Sequence, residues 1–179
     1  MTAMATAHRD ETRCPPAVLE PLFAALCANG FPAELCDLRR ILADIDVTAE
    51  SLGDSIYIDA ASYVRTLVFR RKHVEVFVMA WLPGQRSPIH DHAGSACAVR
   101  VVSGTAVEQR YHLNPDETVS PSGEGRRFHA GEVTVSFDAD IHMLGNAAIG
   151  PASPRDILVT IHVYSPPLAP THKYSIASI

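Results

Sequence analysis

Gly84-Gln85-Arg86-Ser87-Pro88-Ile89-His90-Asp91-His92 is followed by Cys97 and Gly104, and farther along the chain Gly131, His142 and Asn146 form a second spaced set. Residues i and i+2 of a strand project to the same face. On a strand, His90 and His92 would therefore reach one ion together. His142, from a later strand, would complete a trio of imidazoles. Three protein ligands leave coordination positions open, which suits a catalytic metal better than a closed structural one. A lone H-x-H says little. Two sets in order, each with its own internal spacing, say far more.

Working outward from this motif, segments rich in β-branched and aromatic residues cover 63–70, 74–82, 98–102, 106–111, 132–136 and 157–163. Gly, Pro, Asn and Asp separate them, so many short strands are predicted, and with them a sandwich or barrel. Residues 115–125 and 147–155 read as loops. Before residue 54 the period changes. Leu19, Leu22, Phe23 and Leu26 recur at helical spacing over 15–29, with Gly30 placed as a C-terminal cap. Leu35, Leu38, Ile41, Leu42 and Ile45 repeat the pattern over 32–45, and 48–52 reads as one further turn. These helices are expected to cover the end or side of a sheet. The expected organisation is a tail and helices packed on a barrel (1–54) and the barrel with its metal site (55–179), one domain overall. A chain of 179 residues is long enough to bury a substantial core.

A net charge of −5 argues against a nucleic-acid partner. The sequence has no apolar run of transmembrane length and no signal-peptide core, and residues 1–12 read as a polar, mobile tail. The cysteines at 14, 27, 36 and 97 show no CxxC pairing. Cys27 and Cys36 have apolar, helix-like surroundings and read as buried free thiols, which points to a reducing, cytoplasmic compartment. The expected partners are a small molecule and no membrane or nucleic acid, with the chain a monomer or weak oligomer.

The two spaced sets resemble the paired motifs of the cupin superfamily, G-x5-H-x-H-x3,4-E-x6-G and G-x5-P-x-G-x2-H-x3-N. Gly84, His90, His92, Gly104, Gly131, His142 and Asn146 stand in register with them. Phe137 and Ala139 replace the Pro and Gly, and Cys97 stands where the superfamily usually has Glu. Three histidines with Cys at that position resemble the cysteine dioxygenase family. Tyr63-Val64-Arg65-Thr66-Leu67-Val68 resembles its Y-x-R-x-L-V segment, His90 to Cys97 keeps H-D-H-x4-C, and His162-Val163-Tyr164-Ser165-Pro166-Pro167 resembles H-x-Y-S-P-P. The resemblance covers roughly residues 55–175. It implies an all-β fold with N-terminal helices, a small cupin-type jelly-roll barrel. It also implies Fe(II) on His90, His92 and His142, and conversion of L-cysteine and O2 to cysteine sulfinate.

Chemistry alone leaves the metal open, because imidazole suits Fe, Zn, Cu and Ni. Zinc on three histidines would make a hydrolytic or hydration site. For iron, the missing carboxylate of the usual two-His triad would be compensated by a substrate thiolate. Arg65 offers a bidentate fork for a substrate carboxylate, with Tyr63 placed to orient it. On exposure grounds alone, Arg65 reads equally well as a surface residue. Relatives acting on 3-mercaptopropionate commonly place Gln there, so the resemblance favours cysteine over that alternative. On strand 157–164, Thr160, His162 and Tyr164 share one face and Val159, Ile161 and Val163 the other. The family implies that His162 donates to the Tyr164 hydroxyl and that a thioether joins Cys97 to Tyr164; without it, Cys97 reads as a small core residue. A non-catalytic metal-binding sensor is a further alternative, and a Zn or Mn isomerase is disfavoured by the missing Glu. Asp91 is expected to face away from the metal and make hydrogen bonds, and Trp81 to pack in the core. His8 falls in the tail and His73 in a charged turn with Arg70, Arg71 and Lys72. His112, His129 and His172 read as surface or structural, and Arg126 and Arg127 as solvent-facing.

Overall fold

The alternation along residues 158–165 sets the layering of the molecule. Val159, Ile161 and Val163 point to one side of their sheet and join the helices in one apolar cluster, while Tyr164 joins a second cluster on the other side. The sheet is thus covered on both faces, and all eight residues of this strand are buried. The computed structural model describes residues 15–31, 33–137, 140–150, 153 and 156–177. The expected tail (1–12), His8, Cys14 and Ala139 lie outside the described residues, and the 147–155 loop is described in part.

Three helices, α1 (Glu20–Ala28), α2 (Leu35–Ala43) and α3 (Ala49–Leu52), precede the strands. The strands are β1 (Val64–Arg71), β2 (Val74–Trp81), β3 (Ile89–His90), β4 (Ala96–Ser103), β5 (Thr105–Leu113) and β6 (Val119–Pro121). They continue with β7 (Arg126–His129), β8 (Val133–Phe137), β9 (His142–Asn146), β10 (Leu158–Ser165) and β11 (Lys173–Tyr174). One sheet runs β1-β2-β10-β4-β8. The other runs β11-β3-β9-β5-β6, with β7 also pairing β5. All of these pairings are antiparallel, and the two sheets face each other as a near-closed β-barrel. The mostly-β architecture with N-terminal helices is the one expected.

The helices sit on the outer face of the first sheet because their apolar stripes match its valines. Leu22, Phe23 and Leu26 of α1 and Leu38, Ile41 and Leu42 of α2 are buried there with Val68, Val76, Val78 and Val159. Phe23 stacks on Phe69 of β1 at 4.4 Å between ring centroids. The C-terminal carbonyls of a helix lack internal partners. Arg100 of β4 supplies them for α2, donating Nη1 to Leu42 O at 2.8 Å and Ala43 O at 2.9 Å. The facing side chains of the two sheets form the other cluster, with Phe77, Met79 and Trp81 of β2, Val99 and Val101 of β4, Phe128 of β7 and Leu144 of β9.

Several expectations need correction. Gly30 is not a left-handed cap, because the chain leaves α1 through an extended Asn29 (φ −71, ψ 147) and Gly30 has no positive φ. Cys27 and Cys36 are exposed free thiols. Each lies one position from a buried or half-buried leucine of its helix, on the flank that the apolar stripe leaves to solvent. The 115–125 loop contains β6, which pairs with the end of β5. No helix among the described residues is long and apolar enough to cross a membrane.

Candidate metal centre

Two strands bring the histidines together. His90 ends β3 and is the register partner of His142 at the start of β9. Gly145 lets these segments approach, since a Cβ there would lie 2.6 Å from both the Gln85 carbonyl and the Arg86 side chain. Ser87 N donates to Leu144 O at 2.8 Å, and Leu144 N donates to Ser87 Oγ at 3.1 Å. The two spaced sets of the sequence are therefore laced to each other directly. Asn146 closes the end of β9, donating Nδ2 to Trp81 O at 3.0 Å and Asp156 O at 2.7 Å.

His92 lies just beyond the paired part of the strand. The paired strand stops at His90, yet His90 and His92 still reach one side while Asp91 between them faces the other. The chain then turns, with Ala93 (φ 48) and Gly94 (φ 85) both left-handed and Ser95 N donating to His92 O at 3.0 Å. All three rings meet at one place. Ring centroids lie 5.6 Å apart for His90–His92, 4.9 Å for His90–His142 and 4.7 Å for His92–His142. The ligand-type nitrogens all fall within 4.8 Å of one another.

The donor set fits a cation. His90 Nδ1 is 2.9 Å from Pro88 O, and His142 Nδ1 is 2.7 Å from Glu108 Oε1. Each of these rings keeps Nε2 free of hydrogen bonds. His92 Nδ1 is buried with no hydrogen-bond partner, while its Nε2 lies 3.3 Å from Ser136 Oγ. Burial, then the neighbouring His142, holds the His90 pKa down at about 4, and the same causes with His90 added hold His92 at about 2. These two imidazoles are neutral at physiological pH, the form that binds metals.

A cavity of about 50 Å3 adjoins the histidines, lined among others by Tyr63, Arg65, His90, Cys97, His142, His162 and Tyr164. Arg65 rises from β1 with its guanidinium carbon 4.5 Å from the Phe77 ring centroid, and its Nε is buried without a partner. Tyr63 lies just before β1 and stacks on Trp81 at 4.1 Å. Arg65, Leu168 and Thr171 also line a larger outer cavity of about 420 Å3, so Arg65 stands where the two meet.

The polar face of β10 forms a chain of hydrogen bonds. Trp81 Nε1 lies 3.0 Å from Thr160 Oγ1, Thr160 Oγ1 lies 2.9 Å from His162 Nε2, and His162 Nδ1 lies 3.3 Å from the Tyr164 hydroxyl. Indole N–H can only donate. Thr160 Oγ1 therefore accepts from Trp81 and keeps its own proton and second lone pair for His162 Nε2, with His162 Nδ1 facing the Tyr164 hydroxyl. Burial, then the charge of Arg65, keeps the His162 pKa well below its usual value. Burial, then Cys97, keeps that of Tyr164 well above its own. Cys97 is the register partner of Tyr164 across β4 and β10, and burial pushes its thiol up to about 12 despite the hydrogen bonds of Ser136 and Tyr164.

Two carboxylates around this centre were not assigned these partners from sequence. Glu108 of β5 is 1% exposed and backs His142. Burial works to raise its pKa, but the hydrogen bond and charge of His142, with Arg110 and the Thr134 hydroxyl, outweigh that and bring it down. Glu108 thus sets a carboxylate directly behind a histidine of the centre. Asp91, between two of the histidines, faces the C-terminal segment. It accepts from His172 N at 3.0 Å, His172 Nδ1 at 2.7 Å and the Tyr174 hydroxyl at 2.9 Å. Trp81, expected as core, also lines the cavity. Arg126 and Arg127 are exposed as expected, and His73 sits in the β1–β2 turn.

Residues 37–177 match a family model described as cysteine dioxygenase type I. The match begins inside α2 and so reaches farther toward the N-terminus than the motifs alone. Among solved structures, the chain is similar to an uncharacterized conserved protein with a double-stranded β-helix domain from Klebsiella pneumoniae. The identity is 20% over 68% of this chain and 92% of that one, with a TM-score of 0.50. It is also similar to TT1209 from Thermus thermophilus, at 17% identity over 64% of this chain and 93% of that one, with a TM-score of 0.51. At these identities the likeness shows the fold alone, a double-stranded β-helix.

Proposed function

Since the chain belongs to the cysteine dioxygenase type I family, we propose that it is an Fe(II)-dependent thiol dioxygenase that converts L-cysteine and O2 to cysteine sulfinate. The observation that carries this reading is the three-histidine group beside a small cavity whose wall holds Arg65. Held by His90, His92 and His142, Fe(II) would supply open positions at which a thiolate and O2 meet and react. Both oxygen atoms end on sulfur, which gives up four electrons, so no external reductant enters.

The chain's own residues supply binding and proton placement. Arg65 offers a planar guanidinium fork, and its unpartnered buried Nε supports a role in gripping the substrate carboxylate. Phe77 under the guanidinium and the Tyr63–Trp81 stack restrict its movement. Burial, then Cys97, keeps the Tyr164 hydroxyl protonated at the cavity wall beside His162, a hydrogen-bond donor for a developing charge on bound oxygen or sulfur. The apposed Cys97 and Tyr164 side chains suit the thioether that the family implies. Three free cysteines among the described residues support a reducing, cytoplasmic setting.

Oxygen uptake tests this reading. Metal-free protein is loaded anaerobically with Fe(II), given cysteine or 3-mercaptopropionate, and exposed to O2. Uptake with cysteine and sulfinate in the product supports the proposal. Uptake with 3-mercaptopropionate alone overturns the substrate, and none with either thiol overturns the activity.

A further inference from the structure

Glu108 is the one buried carboxylate hydrogen-bonded to a histidine of the metal centre among the described residues. A buried charge is costly unless paired and hydrogen-bonded, so its surroundings bear on its purpose. Oε1 lies 2.7 Å from His142 Nδ1, and Oε2 lies 3.3 Å from the Thr134 hydroxyl. Arg110 Nε stands 3.9 Å from Oε2, while its Nη2 is anchored on Val135 O at 3.2 Å. A carboxylate only accepts. His142 must then carry its proton on Nδ1, which leaves the Nε2 lone pair for a cation. The other two rings have no such backing. His90 leans on a neutral carbonyl, and His92 Nδ1 has no partner.

We infer that Glu108 is a positioning residue for the metal: it locks the tautomer and orientation of His142 and sets one negative charge a single hydrogen bond behind the ion. The centre is then a three-histidine site with an unequal ligand set, His142 being the ligand with a carboxylate behind it. This rests on the reading of His90, His92 and His142 as metal ligands. Removing such a partner generally costs about 10- to 100-fold in metal affinity. It also raises the Fe(III)/Fe(II) midpoint potential, because the ferric ion loses more from the missing charge than the ferrous ion does.

Glu108→Gln keeps an acceptor of similar shape and deletes the charge. Affinity is measured by chelator competition for Fe(II), without oxygen, and for Zn(II), which is redox-silent. The expected result is an affinity about 10- to 100-fold weaker for both ions, with an upward shift of the iron potential. Unchanged affinity and potential overturn the inference. A second measurement needs no variant. In the Zn(II)-loaded wild-type protein, the His142 Nδ1 proton is expected as a strongly downfield NMR resonance that exchanges slowly with water; an unprotonated His142 Nδ1 overturns the inference even if the variant fails to fold. Wild-type protein that binds both ions but oxidises no thiol when loaded with Fe(II) counts against the dioxygenase reading and leaves Glu108 standing. Wild-type protein that binds neither ion overturns both.

Discussion

Cys97 and Tyr164 are register partners on adjacent strands, both nearly fully buried and both facing the cavity beside the three histidines. The opposition is fixed by the β4–β10 ladder, not by mobile loops. A thioether between them needs little rearrangement and removes two hydrogens, taken up by O2 as oxidant. Intact-mass measurement of protein exposed to Fe(II), cysteine and O2 is expected to show a fraction lighter by about 2 Da. Cys97→Ala is expected to abolish that fraction. The same deficit in the variant would assign the cross-link elsewhere.

Arg65 is expected to act on substrate capture, not on metal retention. It touches the cavity wall, and its guanidinium lies against Phe77 rather than against a histidine. Hydrogen bonds to charged groups contribute about 1.5–3 kcal/mol, so Arg65→Ala should lower kcat/KM for cysteine by about 10- to 100-fold. Iron content should stay at the wild-type level. Arg65→Lys should recover only part of the loss, because an ammonium lacks the planar fork. Loss of iron in Arg65→Ala would place the residue in the metal site instead.

The C-terminal segment is a strap tied at two buried carboxylates. Glu75 accepts Leu168 N at 2.8 Å, and Asp91 accepts three hydrogen bonds from His172 and Tyr174. Between these ties, Leu168 and Thr171 line both cavities. Tyr174→Phe combined with His172→Ala removes two of the Asp91 bonds, each worth about 1 kcal/mol. Hydrogen exchange of amides 168–174 is expected to quicken while that of β10 stays unchanged. Equal acceleration in both would mean that the strap is not a separate unit.

Much of this is legible from residue types alone. Alternation from 159 to 164 separates the valine face from the Thr160–His162–Tyr164 face, and the structure buries both because helices cover one of them. The metal histidines are legible through spacing: His90 and His92 reach the site together and Asp91 between them faces the other way, although the paired strand ends at His90 and a tight turn through Ala93 and Gly94 follows. Glu108 is hidden because neither face of β5 is cleanly apolar. Ala106, Glu108 and Arg110 alternate with Val107, Gln109 and Tyr111, so pattern alone does not choose the inward side. The partners of Asp91 lie about eighty residues away, joined by the short β3–β11 pairing, which no local period announces. Cys27 and Cys36 escape a correct reading because apolar neighbours in sequence do not fix which helix flank a residue takes.

Acid should weaken the metal-free protein in a defined window. The His90 pKa is about 4 when folded, against a reference of 6.5. As pH falls from 6.5, the unfolded chain takes up a proton that the folded chain refuses until about 4. More protons are then bound in the unfolded state, so stability drops with falling pH across that window. His92, at about 2, extends the loss further. The unfolding midpoint of metal-free protein should therefore fall between pH 6.5 and 4, and His90→Gln should flatten the profile there. A midpoint independent of pH in wild-type protein would contradict these buried, neutral imidazoles.

Isotopic labelling reaches the central claim most directly. Protein reconstituted with Fe(II) is given L-cysteine under 18O2, and the product is weighed by mass spectrometry. The account requires cysteine sulfinate bearing two heavy oxygens, with His142→Ala inactive and depleted of iron. A product with one heavy oxygen or none, or undiminished turnover in His142→Ala, would contradict dioxygenation at the three-histidine centre.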